Sequence, residues 1–273
     1  MLKISRDEDP VERGASAVQH EQSERAESLG TSPGTNEKTD RPNSLAKGVA
    51  LFSLGTIVTG VIAQALIADR LIVSGDAAAT ATNILAHRAL YQVAFTVFMV
   101  EMACQVASTA LWYRLLRPVN KTIALVGMAW GLTGAVLKLG GRVFFLAPLF
   151  LLSGKDGGAI PHYLGVFSAE QVQALALVFI AVMNRLAGMG LAFFGFGDTL
   201  TSWLIFKSTF LPRWLGVMSM VGAVGWTTFA YPQLGSLVFL PLVLYALAFS
   251  VVIIGWLLIK GVDEEKWREM ARA

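Results

Sequence analysis

Six stretches of about 20 predominantly apolar residues divide this chain, at 48–68, 90–113, 122–152, 188–207, 213–231 and 234–259. The hydrocarbon core of a bilayer is about 30 Å thick, and an α-helix needs about 20 residues to cross it. Water is absent there, so free N–H and C=O groups must be satisfied within the segment, and a helix is the element that does this. The pattern predicts an all-α polytopic membrane protein, a bundle of six transmembrane helices. Composition agrees. Of 273 residues, 55% are hydrophobic and only 15% charged, with a mean hydropathy of +0.58; a soluble domain carries about a quarter charged residues.

Charge is segregated along the chain. Residues 1–46 hold nine acids against six bases and almost no large apolar side chains. Such a segment cannot bury enough surface to offset its ordering entropy, which predicts a disordered cytoplasmic leader. The membrane domain is predicted over 47–260, with a C-terminal cytoplasmic tail over 261–273. The leader lacks the apolar core of a signal peptide.

Orientation follows from the short loops. Arg114, Arg117 and Lys121 lie in one loop, Lys207 and Arg213 flank another, and Lys260, Lys266, Arg268 and Arg272 lie in the tail. The opposite side has Arg70, Arg88 and Lys155. The excess of basic residues places both termini in the cytoplasm of a cell (inner or plasma) membrane and calls for an even number of spans. Trp112, Trp203, Trp214 and Trp256 all fall at the cytoplasmic ends of their spans, as an aromatic belt requires.

Two further elements are expected. Asp76 is a good N-cap for an alanine-rich helix over 77–87, an external interfacial helix between spans one and two. The stretch 169–207 is too long for one span. The segment 169–186 therefore reads as a half-inserted helix before span four, broken from it at Gly188 and Gly190, with Asn184 and Arg185 near the break. Span three is also over-long, and Pro148 is expected to bend or displace its last turns. Gly127-x-x-x-Gly131 offers a close helix–helix contact.

Three stretches carry a resemblance: 74–87 (SGDAAATATNILAH), 115–121 (LLRPVNK) and 204–216 (LIFKSTFLPRWLG). In this order and spacing they resemble the bacterial multi-span membrane family known as domain of unknown function 4386, over about 48–260. The resemblance implies a single six-span domain. It brings no activity, cofactor or catalytic residue with it.

Ionisable groups at mid-span are the candidate functional residues, because a charge at bilayer depth costs a few kcal/mol or more and is kept for a use or a partner. Glu101 is midway through span two, with Gln105 one turn along the same face. Lys138 is near the middle of span three, with Arg142 one turn further out, and Asp198 is midway through span four. Two acids and two bases at one depth can neutralise one another as a structural cluster, with Asp198 expected against Lys138 or Arg142. They can equally line a polar site for a small ligand or proton relay. Arg142 alone can snorkel to the outer interface.

Other chemistry finds little footing. Gly195-Phe196-Gly197-Asp198 matches the G-x-G-D string of intramembrane aspartyl proteases, the alternative reading. Such enzymes share a proton between two aspartates, and no second aspartate lies in a span. The glycines instead suit close helix contact. No catalytic set is assigned. His20, His87 and His162 lack zinc-ligand spacing, and Cys104 is a lone apolar thiol, so neither metal nor cofactor is expected. The expected partner is the lipid bilayer, with a small ligand at the polar cluster. Nucleic acid is not expected, because no basic groove is interleaved with aromatics. Reporter fusions should read cytoplasmic after Arg117 and Arg272 and external after Lys155; an external signal after Arg272 overturns the orientation.

Overall fold

The computed structural model describes residues 41–153 and 165–273, and every regular element among them is helical. Helix α1 covers Pro42–Val61 and runs on through a π-helical turn, Ile62–Ala68, into a last α turn, Asp69–Leu71. Pro42 suits its first turn, where a missing N–H costs nothing. Short α2 (Ala77–Ala86) follows, with Asp76 accepting a hydrogen bond from Ala79 N at its N-cap, as expected. Then come α3 (Arg88–Leu116), α4 (Lys121–Ser153), α5 (Ala169–Lys207), α6 (Arg213–Thr227), α7 (Pro232–Ile259) and α8 (Glu264–Arg272).

The six longer helices close a ring. Helix α1 packs on α3, α3 on α4, α4 on α5, α5 on α6, α6 on α7, and α7 back on α1. Two apolar cores fill its ends. One gathers Leu45, Leu115, Leu204, Leu215, Leu257 and Trp267, with Trp112, Trp203 and Trp256 packed against it. The other gathers Ile84, Tyr91, Phe98, Phe145, Ile180 and Met183. Glu101, in the middle of α3, and Asp198, nine residues before the end of α5, lie in the sequence between the residues of these two cores.

Five helices, α1 with its extension, α3, α4, α5 and α7, are long and apolar enough to cross a membrane. The expected fifth span is shorter than the rest. Helix α6 has 15 residues, and a 3-10 turn at Thr228–Ala230 lengthens it to about 28 Å at standard rises.

The glycines of α4 and α5 explain their close approach. A Cβ on Gly134 would lie 2.7 Å from Gly190 O, and one on Gly197 would lie 2.7 Å from Gly127 O. Gly195 faces the other neighbour: its Cβ would lie 2.5 Å from Thr227 N, where α6 ends. Both glycines of the G-x-G-D string therefore serve backbone contact, as expected, and the Gly127–Gly131 pattern lies on the same seam.

Several expectations need correction. Helix α5 is one continuous helix of 39 residues, with no break at Gly188 or Gly190. Gly190 sits against α4, and its contact there compensates the flexibility that a glycine brings to a helix. At about 58 Å, α5 is nearly twice the bilayer core, so one end extends beyond it. Ser168 and Gln171 form a capping box at its start, which makes Ser168, and not Gly188, the helix boundary. Asn184 and Arg185 consequently lie in the middle of a helix and cap nothing. Helix α1 begins at Pro42, inside the stretch 1–46 expected as the leader; residues 1–40 lie outside the described residues, as do Lys155 and His162.

Pro148 lies inside α4 and is buried. It has no N–H for the Phe144 carbonyl, and one residue on, the Phe145 carbonyl accepts from the Tyr91 hydroxyl at 2.5 Å. Tyr91 also stacks on Phe145, with ring centroids 4.2 Å apart. The helix continues to Ser153 with α3 braced against it at that turn.

The tail 261–273 holds an amphipathic helix, α8. The side chain of Asp263 caps it by accepting from Lys266 N. Its Trp267 is buried and donates Nε1–H to Leu115 O at 2.8 Å. Asn43 of α1 accepts from Val262 N and donates to Glu264, both at 2.9 Å, which brings the start of α1 and the end of the chain together. Hydrogen bonding from Lys266 holds the Asp263 carboxyl below its usual range. The stability from this exposed cap is small; it is present at neutral pH and is lost as pH falls through the lowered value.

The glycine seams predict opposite outcomes for two substitutions. Gly195→Ala must push α6 away and should lower stability by about 1–3 kcal/mol. Gly140, also helical, has open space where its Cβ would go, so Gly140→Ala should be neutral or gain up to about 1 kcal/mol. Thermal unfolding in detergent distinguishes the two.

Candidate functional site

The ionisable residues singled out in the sequence do meet inside the ring, though not in the expected pairs. Glu101 is buried on α3. One carboxylate oxygen accepts from Lys138 Nζ at 2.6 Å and the other from Arg142 Nη2 at 3.2 Å. The two bases sit four residues apart on α4, one above the other on the face toward α3. One acid therefore takes both bases. The expected Asp198 pairing with Lys138 or Arg142 is absent: among the described residues no hydrogen bond or ion pair falls on the Asp198 carboxylate, while its backbone carbonyl accepts from Ser202.

Arg142 does not snorkel. Its side chain is 5% exposed, and the guanidinium lies 3.3 Å from the centroid of the Phe98 ring. Cation–π contact of this kind gains strength where water is excluded. A second guanidinium nitrogen reaches Met183 Sδ at 3.8 Å, and Nε is buried without a partner. Gly60 on α1 makes room for the carboxylate, since a Cβ there would stand 3.3 Å from Glu101 Oε1. Lys138 keeps 14% exposure, enough for its ammonium to touch the space beside it.

That space is a cavity of about 650 Å³ lined from all six ring helices. Glu101, Gln105, Lys138, Arg142 and Asp198 all contribute to its wall. Two smaller cavities, of about 220 and 200 Å³, continue toward the Trp112 end. Asp198 and Ser250 line all three. Asp198 is deep in the molecule by position and yet exposed, because its side chain faces the junction of these cavities and not packed protein. Polar groups continue along the smaller cavities, including a Ser53–Ser108 hydroxyl pair at 2.8 Å and a buried, unpartnered Ser219 hydroxyl.

Three lining features were missed in the sequence. Gln64 donates to Asp69 at 2.7 Å, and both line the large cavity. Residues five apart diverge around an α-helix but align in a π-turn, where hydrogen bonds run i to i+5. The residues 62–68 are π-helical; only that local winding places the pair together. Asn184 faces the same cavity, on the part of α5 that the sequence suggested was broken. Ser250 stands in the most apolar of the helices, which carries only two other hydroxyls, Ser236 and Tyr245, and a hydroxyl among such neighbours was the signal available.

A ring of apolar helices around a charged interior defines a polytopic helical membrane protein with an internal polar cavity. Among such proteins, the chain belongs to the family described as a domain of unknown function (DUF4386), whose model matches residues 49–261. Comparisons with curated proteins and with solved structures found no match.

The geometry separates the two acids by their response to neutralisation. Glu101→Gln leaves two buried bases without their counter-ion and should cost about 3–5 kcal/mol. Asp198→Asn removes a charge that has no partner, and should leave thermal stability unchanged or raise it. A loss on Asp198→Asn as large as on Glu101→Gln would show that Asp198 holds up the helix packing.

Proposed function

We propose that this is a non-enzymatic membrane protein that takes up a small solute, for sensing or passage, in the cavity around Glu101, Gln105, Lys138, Arg142 and Asp198. The observation that carries this reading is Asp198, an unpaired carboxylate turned toward the point where three cavities meet. Proteins retain an uncompensated charge at bilayer depth where it has a use. Glu101, by contrast, is the structural acid that ties α3 to α4.

The same reading includes six spans with both termini on the cytoplasmic side of a cell membrane. The contacts of Asn43 with Val262 and Glu264 support an even number of crossings, because they join the first and last described segments at one end. With five long spans, α6 supplies the sixth, and about 28 Å is close to the thickness of the core. The tryptophans expected as a cytoplasmic belt lie at this end, with Trp214 and Trp256 rings 5.8 Å apart. Helix α2 then lies on the outer surface, and the lipid bilayer is the standing partner.

An intramembrane aspartyl enzyme finds less support. Its chemistry needs a second carboxyl that shares a proton with Asp198. Glu101 has both oxygens on bases, Asp69 of the same cavity accepts from the Gln64 amide and makes no hydrogen bond with Asp198, and the glycines before Asp198 are occupied in helix contact.

Thiol accessibility tests the cavity directly. In a Cys104→Ala background, Ser250→Cys should react with methyl methanethiosulfonate in membranes about tenfold faster than Val251→Cys, which faces outward, because water reaches a cavity wall and not the hydrocarbon. Equal, slow reaction at both positions would rule out a water-filled cavity and the solute reading with it.

A further inference from the structure

The large cavity carries a charge and a wall that select a class of ligand. Its ionisable lining comprises Asp69, Glu101 and Asp198 against Lys138 and Arg142, a formal excess of one negative charge. Within that set Glu101 already neutralises what it can, with one oxygen on each base, and Arg142 is covered by the Phe98 ring. Among the described residues, the lining acids without a base are Asp69, which accepts from the neutral Gln64 amide, and Asp198. Both belong to the wall of one 650 Å³ space.

The α6–α7 side of that space is aromatic. Trp226, Phe229 and Phe239 line it in succession, with centroids 5.9 Å apart for the first pair and 6.0 Å for the second. Aromatic faces attract cations through the ring quadrupole and are compatible with an organic cation's carbon skeleton. A hard metal ion asks for something different, six or more oxygen ligands at close range. No group of three or more His, Cys, Asp or Glu side chains is clustered to hold one among the described residues. The volume falls within the range of small-molecule sites, about 300–1,000 Å³.

We propose that the cavity binds an organic monocation, an amine or quaternary ammonium, with Asp198 as its counter-ion and the Trp226–Phe229–Phe239 wall against its apolar body. This rests on the solute-binding reading above and specifies its ligand. Asp69 and Gln64, brought together by the π-turn of α1, add a second unpaired carboxylate to the same cavity, so that an entering cation meets negative potential away from Asp198 as well. Ser250 lines every cavity that Asp198 lines, which makes a thiol there a reporter of occupancy.

The test is protection of that thiol. In membranes carrying Cys104→Ala and Ser250→Cys, benzyltrimethylammonium should slow modification by neutral methyl methanethiosulfonate about tenfold. Benzenesulfonate and 2-phenylethanol at the same concentration should not. Asp198→Asn should abolish the protection while the thiol still reacts. Phe239→Leu changes a half-exposed ring, and should weaken the protection with thermal stability retained. Equal protection by the anion or the alcohol overturns the cation assignment, as does protection that survives Asp198→Asn; in either case the solute cavity stands. A thiol that does not react at all removes the cavity itself.

Discussion

Glu101 lies between Lys138 and Arg142, and the inner surface of the ring depends on that arrangement. Three charges in hydrocarbon are tolerable because each oxygen of the one carboxylate is matched by a donor on the facing helix, and because Arg142 adds the face of Phe98. A buried ion pair contributes little net stability against a well-packed apolar substitute. What it does supply is register. The two bases, one turn apart on α4, can meet one carboxylate only at a single axial setting of α4 against α3. That setting also places the inner turns of α5, since α4 and α5 are in backbone contact.

The seam between α4 and α5 does the positioning on the other side. Gly127, Gly134, Gly190 and Gly197 let the two backbones touch, and without a hydrophobic drive between helices in lipid, such close packing is what holds them. Gly195 performs the same service toward α6. With glycines at 195 and 197 committed to α6 and α4, the helix face left between those two contacts carries Asp198 toward the cavities. A carboxylate so placed cannot reach the bases, which Glu101 has taken. It faces the cavity because the contacts that fix its helix leave it nowhere else to point.

The C-terminal segment closes one end of this construction. Trp267 is buried and hydrogen-bonded to α3, and Asn43 binds the backbone and side chain of the segment after α7. These are contacts of about 150 and 220 residues in sequence separation, so α8 and the turn before it tie α1 and α3 together at one end of the ring. The tail therefore acts as part of the membrane domain's packing and not as a free extension.

The apolar runs and the scarcity of charge determined the class of this protein, because a run of that length has one stable backbone solution in a bilayer. Glu101, Lys138, Arg142 and Asp198 were legible as candidates because a charge at mid-span is costly in lipid, and Gln105 because it stands one turn from Glu101 on the same face. The helix around Asp76 was legible from its cap. Pairing was not. Which acid takes which base depends on the axial offset of three helices, and that offset is decided by glycine contacts far apart in sequence. The continuity of α5 was hidden because a glycine-rich stretch looks like a break until a neighbouring helix packs on it. The π-turn that joins Gln64 to Asp69 is equally invisible, since periodicity rules assume 3.6 residues per turn. Sequence alone determined that charges would lie within the membrane; tertiary structure decided that Glu101 takes both bases and leaves Asp198 without a partner among the described residues, because partner choice is a property of helix register and not of any single helix.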